Sequence, residues 1–128
     1  MKLLLDACTF LWMTLDAPEL SPRAREAILD AENELYLSAA SVWEICVKHA
    51  LGRLPLPGTP ERFIADQRAA CGIASLPVDE ESSLHMLRLP SLHGDPFDRM
   101  LVSQALVHGL TLVTPDPLIA QYPSRILW

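Results

Sequence analysis

Apolar residues along this chain follow two periods. Short runs rich in leucine, isoleucine and valine, "KLLLD", "ELYLS", "GIASLPV", "LTLVT" and "RILW", have the length and composition of buried strands. Between them lie longer segments whose apolar positions recur every three to four residues, the spacing of a helix with one face inside. "TFLWMTL" predicts a short helix. "LSPRAREAILDAEN" predicts a second, with Ser21 as N-cap and Pro22 at the first helical position. "AASVWEICVKHALG" places Val42, Ile45, Cys46 and Ala50 on one face and ends at Gly52.

The second half continues the alternation. Thr59 and Pro60 start a helix that Gly72 ends, after the loop-like "RLPLPGTP". Asp79 caps a short helix that fades at "RLP". Another helix runs from about Pro96 to His108 and stops at Gly109, and "PDPLIAQYP" is a turn with a short helix. Strands alternating with helices predict an α/β fold with a mainly parallel sheet. At 128 residues the chain has the size of one domain, expected to span residues 1–128.

Composition narrows the function classes. Hydrophobic residues are 50% and charged residues 20%, a globular balance. Cys8, Cys46 and Cys71 are odd in number and far apart, which argues against a disulfide framework or zinc site and for a reducing, cytoplasmic setting. The first apolar run is cut by Asp6 after three leucines, too short for a signal peptide or membrane span. A net charge of −6 argues against gripping nucleic acid by overall charge, since such binding runs on phosphate neutralisation. It leaves room for a site where divalent cations supply the positive charge.

Four acids then draw attention. Asp6 ends the first strand, Glu44 lies about one turn into the helix after the second, Asp98 sits in the first turn of the helix before the fourth, and Asp116 follows that strand. Crossover helices run antiparallel to a parallel sheet, so strand C-termini and helix N-termini share one edge, where open α/β sheets bind ligands. Each acid has an ordinary structural role open to it. Ser41 and Glu44 make an S-x-x-E capping box, Glu44 and Lys48 an i,i+4 ion pair, Asp95 and Asp98 a box around Pro96, and Asp6 and Asp116 can be N-caps. Capping explains their coincidence less well. Asp6 and Asp116 follow strands expected to be adjacent and central, and neighbouring buried carboxylates repel and resist desolvation. A hard cation relieves both penalties, and an oxygen-only donor set favours Mg²⁺ or Mn²⁺. Such clusters suit attack of water on a phosphodiester.

"LLLDACTFLW", "SAASVWEICVKHALGRL", "HGDPFDRMLVSQAL" and "LTLVTPDPLIAQYP" together resemble the PIN-domain ribonucleases, specifically the VapC-type toxins of bacterial toxin–antitoxin pairs, over essentially the whole chain. The resemblance implies a three-layer fold with a five-stranded sheet in the order 3-2-1-4-5. It implies a Mg²⁺- or Mn²⁺-dependent endoribonuclease, with Asp6 and Asp98 as principal metal ligands and Glu44 and Asp116 completing the acidic pocket. It also implies a cognate antitoxin as partner, a homodimer, operator DNA contacted only through the antitoxin, and no membrane. Similar proteins often carry Thr-His after the first acid. Here Ala7 and Cys8 stand there, which leaves Thr9 or Thr114 to hydrogen-bond a ligand.

Around the acids, Asp95 is expected to cap the helix that presents Asp98. Arg99, Lys48 and Arg53 are candidate phosphate contacts, with solvated surface charge as the alternative. His93 is a general-base candidate of less weight, because a metal already activates water. Trp12 and Trp43 are expected in the core rather than as interface anchors, and Cys8 and Cys46 as inert small hydrophobes. The rival from another class is a catalytically silent domain that binds an antitoxin and acts as co-repressor. A haloacid-dehalogenase-type phosphatase would need an acid where Cys8 stands, and a receiver domain a lysine late in the chain, whereas the only lysines are Lys2 and Lys48.

Overall fold

The three leucines of the first strand, β1 (Lys2–Leu5), are fully buried, and their alternation divides the molecule into layers. Leu3 and Leu5 join one core cluster and Leu4 another, on the opposite face of the sheet. The computed structural model describes residues 1–128. After β1 come α1 (Ala7–Thr14), α2 (Pro22–Leu29), β2 (Glu34–Ser38), α3 (Ala39–Ala50), α4 (Pro60–Cys71) and β3 (Ile73–Leu76). The chain continues with α5 (Glu80–His85), α6 (Pro96–His108), β4 (Thr111–Val113) and β5 (Arg125–Leu127), with 3-10 turns at Met86–Arg88 and Ile119–Gln121.

All five strands pair in parallel in the order β3-β2-β1-β4-β5. One face carries Phe10 of α1, Ala24 and Ile28 of α2, Ile45 of α3, and Phe63 and Ile64 of α4. The other carries Leu101, Val102 and Ala105 of α6, with Ile119 and Tyr122 from the late turn. Burying each such leucine, isoleucine or phenylalanine contributes roughly 1.5–3 kcal/mol relative to exposure. The sequence-predicted α/β alternation and sheet order are therefore those of the molecule. No helix is long and apolar enough to cross a membrane.

The start of α3 differs from the sequence reading. Ser38, the last residue of β2, is the N-cap, its hydroxyl accepting from Ala40 N–H at 3.0 Å. Ser41 is buried inside the helix with its hydroxyl unpartnered, so the Ser41–Glu44 capping box does not form and Glu44 lies in the second turn. Ser38 has a second task. Its hydroxyl donates to Gln104 Oε1 at 2.6 Å, and Gln104 Nε2 donates to Pro77 O at 2.9 Å. Both side chains are fully buried, so this bridge ties the start of α3 to the middle of α6 and sets the two acid-bearing helices against each other.

The cap of α6 is as the sequence suggests. Asp95 Oδ1 accepts from Phe97 N–H at 2.9 Å and Asp98 N–H at 3.1 Å, with Pro96 in the first turn. At its other end Gly109 adopts a left-handed conformation (φ 67°) that lets the chain turn directly into β4.

Candidate functional site

The switch in strand order falls between β1 and β4, and the register carries three polar residues to the same height there. Leu5 is paired with Leu37 on one side and Val113 on the other, so Asp6, Ser38 and Thr114 follow in one row. Asp6, only 7% exposed, caps α1 through Oδ1, which accepts from Thr9 N–H at 2.8 Å. Its Oδ2 accepts from the Thr114 hydroxyl at 2.5 Å, and Thr114 Oγ1 in turn accepts from Asp116 N–H at 3.1 Å. Thr114 is thus the residue whose hydroxyl supports Asp6. The Thr9 hydroxyl donates instead to Val113 O at 2.8 Å, and Thr9 reaches Asp6 through its backbone.

The other acids come from α3, α6 and the turn after β4. Asp6, Glu44, Asp98 and Asp116 line one cleft of about 180 Å³ with Asp95, Cys8 and Lys48. Glu44 accepts from Lys48 Nζ at 2.7 Å, the i,i+4 pair of the sequence reading. That hydrogen bond holds the Lys48 ammonium above its ordinary range, against the opposing effect of burial. Asp98 Oδ2 lies 3.3 Å from His93 Nε2. Asp116 Oδ1 accepts from Leu118 N–H at 2.8 Å in the turn ahead of the 3-10 helix, whose N-cap is Leu118 without a side-chain bond. Asp116 therefore orders a turn and is not the helix cap the sequence suggested.

The electrostatics are those of crowded carboxylates. Desolvation raises Asp6 above the ordinary aspartate value, with Asp116 adding to the rise, while hydrogen bonds from Thr114 and Thr9 oppose it. Asp98 is pushed up to about 6, first by desolvation and next by the charge of Asp95; His93 opposes the rise and Asp116 and Glu44 add to it. Lys48 is the one basic side chain lining the cleft. Desolvation and then the Asp6 charge raise the Cys8 thiol, which keeps it protonated and poorly nucleophilic although the residue is exposed.

This donor set fits a hard divalent cation. It is oxygen-rich, negative and short of counter-charge. No three of the histidine, cysteine or acidic side chains converge in an arrangement that could hold an ion by themselves. Mg²⁺ does not require that, since it keeps several waters and is commonly held by one or two carboxylates.

Several expectations about the surroundings change. Arg99 Nη1 donates to Pro90 O at 2.8 Å and to Tyr122 Oη at 2.9 Å, and its guanidinium lies over the Tyr122 ring. It is thus engaged by Pro90 and Tyr122 and lies outside the residues lining the cleft. Arg53 is exposed and lies outside the residues lining the cleft, whereas Lys48 lines it. Trp43 is 63% exposed rather than in the core, packed edge-on against Phe97. The two rings border an apolar trough of about 330 Å³ on the same two helices as Glu44 and Asp98. Trp12 is partly buried against Trp128. Tyr122, 3% exposed, escaped the sequence reading, because nothing local signals a contact with His93 across 29 positions.

Asp95→Ala is expected to lower stability by about 1 kcal/mol through loss of the cap. Because Asp95 also raises Asp98, the Asp98 carboxyl should titrate lower in the variant, a shift readable by NMR. Any loss of activity should be smaller than for Asp98→Ala.

A family model described as PIN domain matches residues 3–124. The curated protein "Ribonuclease VapC16" of Mycobacterium tuberculosis is 38% identical over 61 residues, covering 48% of this chain and 43% of that protein. The match thus takes in less than half of that relative's length. Among solved structures, VapBC2 from Rickettsia felis bound to a DNA fragment from their promoter aligns with a TM-score of 0.74 at 13% identity, over 98% of this chain and 96% of that chain. DNA-bound VapBC from Salmonella typhimurium aligns with a TM-score of 0.68 at 22% identity, over 98% and 96%. At these identities the structural likeness speaks to the fold alone.

Proposed function

The chain belongs to the PIN domain family, and on that premise we propose that it is a Mg²⁺- or Mn²⁺-dependent endoribonuclease, the toxin of a type II toxin–antitoxin pair. One observation carries the reading: four carboxylates from four separate segments face a single cleft at the switch point of the sheet, with two of them held above their ordinary pKa. The name of the 38% identical relative supports ribonuclease activity.

In this reading Asp6 and Asp98 are the principal metal-holding groups, with Glu44 and Asp116 completing the set. A bound cation would supply Lewis-acid activation of water and counter-charge for the phosphate. The chain's own part is orientation. Thr114 and the Thr9 N–H fix both oxygens of Asp6, and Leu118 N–H fixes Asp116. Lys48 holds Glu44 while leaving its side chain 52% exposed, which suits it to meet an incoming phosphate.

The VapBC complexes among the structural neighbours support a cognate antitoxin as partner, with operator DNA reached through it, and the exposed Trp43 trough is apolar surface that a protein partner would cover. We also propose a homodimer in the cytoplasm, a setting consistent with three unpaired cysteines. The test is to incubate antitoxin-free protein with a broad RNA panel in Mg²⁺ or Mn²⁺, before and after chelation. Cleavage that chelation stops is the expected result. Protein that binds no divalent cation and cuts none of the panel would favour the silent, antitoxin-binding domain instead.

A further inference from the structure

Beside Asp98 three side chains form a continuous hydrogen-bonded line. Arg99 Nη1 lies 2.9 Å from Tyr122 Oη, Tyr122 Oη lies 2.7 Å from His93 Nδ1, and His93 Nε2 lies 3.3 Å from Asp98 Oδ2. The line closes on itself in sequence, because Arg99 follows Asp98 on α6. Tyr122, by contrast, comes from the turn before β5, and His93 from the loop before the Asp95 cap. None of these contacts is needed to form α6, whose first turn Asp95 already satisfies.

The direction of the line follows from its first member. A guanidinium only donates, so Tyr122 Oη accepts from Arg99 and has its own O–H to give. The acceptor within reach is His93 Nδ1, and an imidazole that accepts at Nδ1 carries its hydrogen at Nε2, facing Asp98. A hydrogen on Nδ1 instead would leave the O–H of a tyrosine only 3% exposed without this acceptor, and an unmet buried donor costs about 1–3 kcal/mol.

We propose that Arg99 and Tyr122 set the tautomer and ring orientation of His93, and that His93 acts as a positioning residue holding the Asp98 carboxylate in its cation-binding orientation. This rests on the reading of Asp98 as a metal-holding group. It also removes His93 from the general-base role considered from the sequence. Both ring nitrogens are engaged and the side chain is 9% exposed, so no lone pair faces a water. Groups that hydrogen-bond to metal ligands commonly contribute 10–100-fold to affinity.

The experiment is a Mn²⁺ titration of wild type, Tyr122→Phe, His93→Ala and His93→Gln, read by EPR of free Mn²⁺, with the His93 tautomer of the metal-free wild type read from long-range ¹H–¹⁵N NMR. Expected results are the Nε2–H tautomer in wild type, about 10–100-fold weaker Mn²⁺ binding in His93→Ala, and a smaller loss in Tyr122→Phe. His93→Gln, which keeps a terminal N–H donor, should recover most of the affinity. A wild type with the Nδ1–H tautomer would overturn the proposal, as would unchanged Mn²⁺ affinity in His93→Ala. Wild type that binds no Mn²⁺ at all fails the metal reading itself, and the tautomer still decides whether the hydrogen-bonded line exists.

Discussion

Asp98→Asn is expected to lower RNA cleavage by about 10²–10³-fold and, in chelator, to yield a more stable protein than wild type. Both effects have one cause. The Asp98 carboxyl is raised to about 6, chiefly by desolvation and the neighbouring Asp95 charge, so its ionised form is disfavoured in the fold. Its unfolded value is close to the ordinary 3.8. The folded state therefore binds more protons between these values, and stability contributed by this group falls as pH rises through about 4 to 6 and stays low above that. A shift of this size corresponds to at most about 3 kcal/mol. Solvent screening at a side chain that retains 16% exposure reduces it to about 1–2 kcal/mol. Asparagine has no charge to desolvate and still accepts from His93. Thermal melts in chelator should show Asp98→Asn above wild type by several degrees at pH 7, with the gap closing near pH 4. A variant less stable than wild type at pH 7 would mean that Asp98 is not a strained carboxylate.

Thr114→Val is expected to lower the free energy of unfolding by about 2–3 kcal/mol at pH 7 and cleavage by about 10–100-fold. The substitution keeps the shape and removes one hydroxyl that serves two partners in a site 1% exposed. Asp6 Oδ2 loses a 2.5 Å donor and the Asp116 N–H loses its acceptor. Both acids are thereby loosened together, although neither is altered. The Asp6 pKa, already raised by burial, should rise further because Thr114 was the largest opposing influence. Thr114→Ser should restore most of both losses. Denaturant midpoints at unchanged slope and initial cleavage rates check the two halves separately.

Much of this site was legible in the sequence because it is written in local signals. Ser21-Pro22, Asp95-Pro96, Gly72 and Gly109 mark helix ends, and each sits where the structure puts an end. Once strands and helices alternate, the geometry of a parallel sheet brings Asp6, Glu44, Asp98 and Asp116 to one edge. The order of the strands is a different matter, since local pattern does not specify it, and here it came from resemblance to a family. Ser38 and Ser41 are equally plausible caps by residue type, and only the length of β2 decides for Ser38.

The same limit applies to the surroundings. Trp43 borders the Val42–Ile45–Cys46–Ala50 face, so both helical spacing and residue type argued for the core, and only the tertiary packing of α3 leaves it 63% exposed against Phe97. Arg99 looked like a phosphate contact because an arginine next to a catalytic-type acid usually faces solvent. Its engagement by Pro90 and Tyr122, like the Tyr122–His93 contact, depends on packing between α6 and the turn before β5.

The central claim is that the cleft carboxylates hold a divalent cation. Its most direct test is calorimetric Mn²⁺ titration of chelator-stripped wild type, Asp6→Ala and Asp98→Asn, each first shown to be folded by its cooperative melt. The account predicts saturable binding by wild type and at least about 10–100-fold weaker binding by either variant. Equal binding by all three, or none by wild type, would contradict it.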